Sequence, residues 1–101
     1  MTDKTCLVRG LQHYVINPRW CTREIAREAD LGGWTLTHRP TGLDATRQLG
    51  SRHAAEKLAN LLDRKFGVKA WLFTDPKHVP KEARAVVMRA LPRESIFVRL
   101  P

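Results

Sequence analysis

Residues 34–48 read Trp-Thr-Leu-Thr-His-Arg-Pro-Thr-Gly-Leu-Asp-Ala-Thr-Arg-Gln, and this stretch decides the fold. Trp34, Leu36 and His38 alternate with Thr35 and Thr37, the period-two pattern of a half-buried strand. Arg39-Pro40-Thr41-Gly42 supplies a turn: proline presets φ, and Gly42 is free to take a positive one. Leu43–Gln48 returns as the second strand of a hairpin. A helix follows. Ser51 is a good N-cap, and Ala55, Leu58, Ala59, Leu62 and Phe66 recur at helical spacing. Arg64 and Lys65 lie in the last turn, where cations suit the dipole, and Gly67 stops the helix.

Working outward, residues 5–16 are rich in β-branched and apolar types and read as one strand, interrupted by a bulge at Gly10. Asn17-Pro18 closes it. Thr22 is placed to cap a short helix over 23–30, with Cys21, Ile25, Ala26 and Ala29 on one face and Gly32-Gly33 at its end. Residues 68–74 read as a strand ended by Asp75-Pro76. Pro80 opens a helix through 91, with Ala83, Val86, Val87, Ala90 and Leu91 on its apolar face. Residues 95–100 close the chain as a strand. The expected order is β-α-β-β-α-β-α-β. That is a single small α+β domain over 1–101: a mostly antiparallel sheet with a central hairpin and two to three helices packed on it.

The chain has 101 residues, 43% of them hydrophobic, which suits one globular core and argues against disorder. No apolar run approaches the ~20 residues of a membrane helix, and no apolar segment precedes Leu7, so a cytoplasmic protein is expected. Cys6 and Cys21 form no CxxC, and free thiols are expected ahead of a disulfide.

Function turns on charge. Eighteen Lys+Arg against ten Asp+Glu give +8, of which residues 51–101 hold +6. Arg47, Arg52, Lys57, Arg64, Lys65 and Lys69 are placed to form one patch around the long helix, suited to phosphate backbones. Glu56 beside Arg52, and Asp63 beside Arg64, would neutralise part of it. Thr37, His38 and Arg39 are the hairpin's candidate base readers. Trp34 and Trp71 are assigned to the core, and Trp20, in a loop, to the surface. His13, His38, His53 and His78 are dispersed without metal spacing, and no nucleophile–base order or glycine-rich phosphate loop stands out. No catalytic residue, metal or cofactor is assigned.

Thr22-Arg-Glu-Ile-Ala-Arg-Glu-Ala29, followed by Leu31, Thr35-Leu36 and His38, resembles the helix-turn-helix of tetracycline-repressor-family regulators. That resemblance implies a second helix in the major groove, reading bases through Thr35, Thr37 and His38. It competes with the hairpin for residues 34–38, and the hairpin accounts for 34–48 as a whole. The short, Arg-rich chain also looks like small proteins of phages and mobile elements, a kind that includes anti-CRISPR proteins. That likeness implies docking on an acidic protein surface. The expectation is therefore a basic, non-enzymatic binding module. Its partner is nucleic acid, DNA ahead of RNA, or alternatively an acidic protein surface on a host complex, with a homodimer through an exposed strand edge such as 95–100 left open.

Overall fold

The structure, a computed structural model, describes residues 4–25 and 33–90, with the side chains of Arg47 and Gln48 excepted. Five strands, β1 (Thr5–Val8), β2 (Leu11–Asn17), β3 (Trp20–Glu24), β4 (Trp34–His38) and β5 (Leu43–Leu49), form one antiparallel sheet in chain order. Helix α1 (Arg52–Phe66) follows, then 3₁₀ turns over Val68–Trp71 and Pro76–His78, and helix α2 (Ala83–Ala90). The class is α+β.

Residues 34–49 form the expected hairpin, with His38 opposite Leu43 and Gly42 at φ +75° in the turn. Helix α1 also matches its sequence signals: the Ser51 hydroxyl accepts from the Ala54 amide at 3.0 Å, and Gly67 ends the helix at φ +88°. Its buried stripe, Ala55, Leu58, Ala59 and Leu62, packs on Trp20, Leu36 and Leu49 of the sheet. Trp71, Ala83, Val86 and Val87 close the other side of this core.

Four elements differ from expectation. Residues 5–16 are not one bulged strand but a hairpin, β1 and β2, turning at Arg9 (φ +56°) and Gly10 (φ +79°). Two positive φ values in succession match the strand twist in a two-residue turn. The segment 20–24 is strand, not the start of a capped helix: Thr22 pairs with Tyr14 on one side and Leu36 on the other. The rest of that expected helix, 26–30, lies outside the described residues. Trp34–His38 being a strand as well, the described ends of the 22–38 segment form a sheet rather than a helix pair. Residues 68–71 are 3₁₀ turn, not strand, because after Gly67 only Trp71 of that run inserts into the core while Leu72 stays 58% exposed. The helix expected to open at Pro80 begins at Ala83, whose amide donates to the Pro80 carbonyl. Leu91 and the expected strand 95–100, with its edge for a homodimer, lie outside the described residues.

Helix α1 lies across β3, β4 and β5. The sheet curls away from it. A Cβ on Gly42 would stand 3.2 Å from Arg9 Nε and 3.6 Å from a Val8 methyl, so the β1–β2 turn reaches the β4–β5 turn. Inside that curl His13, Cys21, Thr35 and Thr37 are buried.

Candidate functional site

The outer side of α1 and the turn that follows carry several exposed cations. Residues at i, i+4, i+7 and i+11 share one helical stripe. His53, Lys57, Asn60 and Arg64 make that stripe here, and all four are exposed. Lys65 follows Arg64 and is exposed, as is Lys69 in the 3₁₀ turn beyond Gly67. Among the described residues, Lys57, Arg64, Lys65 and Lys69 form no ion pair.

For Arg64 the reason lies in where Asp63 points. Sequence adjacency suggested that it neutralises Arg64, but α1 turns the two side chains to different sides. Asp63 is buried, and its carboxylate accepts from Arg19 Nε at 3.1 Å and Nη2 at 3.0 Å, Asn17 Nδ2 at 3.0 Å and Trp20 Nε1 at 2.9 Å. Burial alone would raise this carboxyl; the hydrogen bonds from Arg19 and Trp20 outweigh it and hold the group below its ordinary value. The same hydrogen bond raises the Arg19 guanidinium. The cluster is a clasp between the β2–β3 turn and α1. It explains why Trp20, assigned to the surface from sequence, is 1% exposed: its indole N–H has a buried acceptor.

The other candidate residues divide sharply. Arg52 leaves the outer stripe, its guanidinium 4.4 Å from the centre of the Tyr14 ring. Arg47 stands in β5. Thr37 is 1% exposed and donates to Asp44 Oδ1 at 2.9 Å. His38 is 4% exposed, with Nδ1 2.9 Å from Thr41 Oγ1 and Nε2 2.7 Å from the Trp71 carbonyl. Burial lowers the His38 pKa, partly opposed by that carbonyl, so the ring is neutral near pH 7, donating from Nε2 and accepting at Nδ1. Neither Thr37 nor His38 presents its polar atoms to a partner, which corrects their place among the surface readers. Arg39 is half-buried and donates to the Asn17 carbonyl at 3.1 Å. Of the expected patch, Lys57, Arg64, Lys65 and Lys69 are exposed, and His53 and Asn60 are exposed on the helical stripe of Lys57 and Arg64.

Two features were not legible from sequence. One is an aromatic cluster of Trp20, His38, Trp71 and Phe73, with His38 stacked on Phe73 at 4.6 Å between centroids and Trp20 edge-on to Trp71 at 4.9 Å. It borders a cavity of about 310 Å³. The other is the two-cysteine neighbourhood: burial and then the adjacent Cys6 thiol push Cys21 up to about 12. Both cysteines are free thiols.

Among the described residues no group of three or more His, Cys, Asp or Glu is placed to hold a metal ion, and no helix is long and apolar enough to cross a membrane. Compared with known proteins, the chain matches no family model, no curated protein and no solved structure, and its functional reading rests on its own chemistry.

Proposed function

We propose that this protein is a non-enzymatic nucleic-acid-binding module that holds phosphates on the outer side of α1, with DNA as its partner. The observation that carries this reading is the exposure of Lys57, Arg64, Lys65 and Lys69 without an ion pair among the described residues, while Asp63, the acid next to Arg64, is committed inward to Arg19. Lys57 and Arg64 stand seven residues apart on one stripe, about 10.5 Å along the axis at ~1.5 Å per residue. Cations so placed release counterions from a polyphosphate and hold it without reading sequence. Asn60, between them, carries an amide of the kind that pairs with adenine edges. The test is a gel shift at low salt on an arbitrary 20-base-pair duplex and on its single strand. Retardation of the duplex is expected, and none with either nucleic acid contradicts the reading.

A second reading has one observation of its own. A groove of about 290 Å³, floored by Leu49, Ala54, Leu58 and Leu61, runs beside Lys57 and Arg64. An acidic protein partner bringing an apolar side chain would find both contacts there, as the likeness to small inhibitors of host complexes implies. A complex that survives nuclease treatment, with no binding to purified DNA, favours this partner over nucleic acid.

A further inference from the structure

The cavity beside the aromatic cluster has the chemistry of a binding site rather than of a packing gap. Its wall is formed by Trp20, Trp71, Phe73, Leu62, Ala83 and Val87, closed on the strand side by Leu43 and Ala45. At about 310 Å³ it is roughly twice the ~150 Å³ apolar cavity that suffices for benzene. It also falls in the size range of small-molecule sites, which begins near 300 Å³. Two fused rings fit that volume, one ring leaves it half empty, and water gains few partners against so apolar a wall.

The polar groups at this site are few, and their roles are separable. His38 lies in the wall, but both ring nitrogens are committed, to Trp71 and Thr41. The Thr41 hydroxyl also accepts from the Leu43 amide at 3.2 Å. Asp44 borders the cavity from β5, but its carboxylate accepts from Thr37 and acts on Cys21, inside the curl of the sheet away from α1. Arg84 is different. It stands in the first turn of α2, lines the cavity, is exposed, and has no ion pair among the described residues. One unpaired cation beside an aromatic, apolar cavity specifies an amphipathic anion, and the net charge of +8 adds attraction for it.

We infer that this cavity binds a planar, two-ring aromatic carboxylate. The rings lie among Trp20, Trp71 and Phe73, and the carboxylate meets the Arg84 guanidinium. The site is separate from the cations of α1, so its occupancy and nucleic-acid binding are measured independently.

The test uses the full chain and two probes of like shape, 1-naphthoate and the uncharged 1-naphthalenemethanol. Binding is read by calorimetry and by the indole N–H signals in ¹H–¹⁵N spectra. Expected is a Kd for 1-naphthoate at least tenfold below that for the alcohol, with the Trp20 and Trp71 signals moving and that of Trp34 still. Arg84→Gln, an exposed substitution that leaves the core intact, should remove the tenfold preference while the alcohol binds as before. Equal affinity for both probes in the wild-type chain would overturn the assignment of Arg84. No binding of either probe, with a Val87→Phe variant melting above wild type, would identify an unfilled gap and overturn the site.

Discussion

Trp20 donates its indole N–H to Asp63 at 2.9 Å across 43 residues of sequence, and this bond joins the middle of the sheet to the helix that carries the cations. Asp63 also accepts from Arg19 and Asn17, so its removal leaves four donors on three residues without their acceptor. Loss of one member of a buried charged pair costs about 3–5 kcal/mol. Because the pair here is part-buried, Asp63→Ala is expected to lower the urea-unfolding free energy by an amount at or below the lower end of that range. Arg19→Ala and the double variant complete a cycle that isolates the pair. A loss under 1 kcal/mol for Asp63→Ala would show that the clasp does not hold the two layers together.

Acid should weaken the fold in two stages. His38 has its pKa lowered by burial, from an ordinary value of 6.5. Below that value the unfolded chain takes up a proton that the native ring does not, so stability falls as pH drops through 6.5 towards the native value. Asp63 behaves differently: its stabilisation is complete above its ordinary value of 3.8 and disappears as pH falls through the lower native value. Urea midpoints measured from pH 8 to pH 3 should show the first decline vanish in His38→Gln and the second persist.

Thiol chemistry should separate the folded from the unfolded chain. With its pKa pushed up to about 12 by burial and by Cys6, Cys21 is a thiol at pH 8 and is fully covered. Iodoacetamide at pH 8 is expected to spare Cys21 in the native protein and to modify it in denaturant. Native-state labelling at Cys21, located by mass spectrometry of peptides, would contradict the buried position of β3.

Gly42 tests the curl of the sheet. Its φ of +75° and the 3.2 Å approach of Arg9 Nε leave little room for a methyl group. Gly42→Ala should cost more than about 1 kcal/mol, the cost of a residue forced to positive φ, because the Arg9 side chain must also give way. Gly10, at φ +79° with open space around it, provides the control in which only the backbone term acts. Equal losses at both glycines would show that the two turns do not touch.

The parts of the fold that were legible are those written in local chemistry. Helix α1 has a cap, an apolar stripe and a glycine stop within 17 residues of one another, and hairpin β4–β5 has its own alternation and turn. The rest depends on distant partners. Arg9-Gly10 carries no Asn or Asp to announce a two-residue turn, so β1 and β2 read as a single strand. Trp20 looks exposed until Asp63, on another element, supplies its acceptor. Residues 68–74 have strand composition, yet 68–71 form a 3₁₀ turn that buries Trp71, its indole donating to the Leu62 carbonyl at 2.8 Å. Similarly, Thr37 and His38 have the chemistry of base readers and are occupied by Asp44, Thr41 and Trp71. The cations were legible as a group because exposure is the default for lysine and arginine. Which of them form no ion pair among the described residues was not.

The central claim, that the outer side of α1 holds phosphates, is tested most directly by the salt dependence of duplex binding. Each phosphate neutralised on duplex DNA contributes about −0.9 to the slope of log affinity against log salt, so four cations give about −3.6. Between 50 and 200 mM salt that slope weakens binding about 150-fold. In a chain carrying Lys57→Gln, Arg64→Gln, Lys65→Gln and Lys69→Gln, all at exposed positions, the predicted result is weaker binding with a slope flattened by about that amount. Affinity and slope unchanged by the four substitutions, in a variant with the wild-type circular-dichroism spectrum, would contradict it.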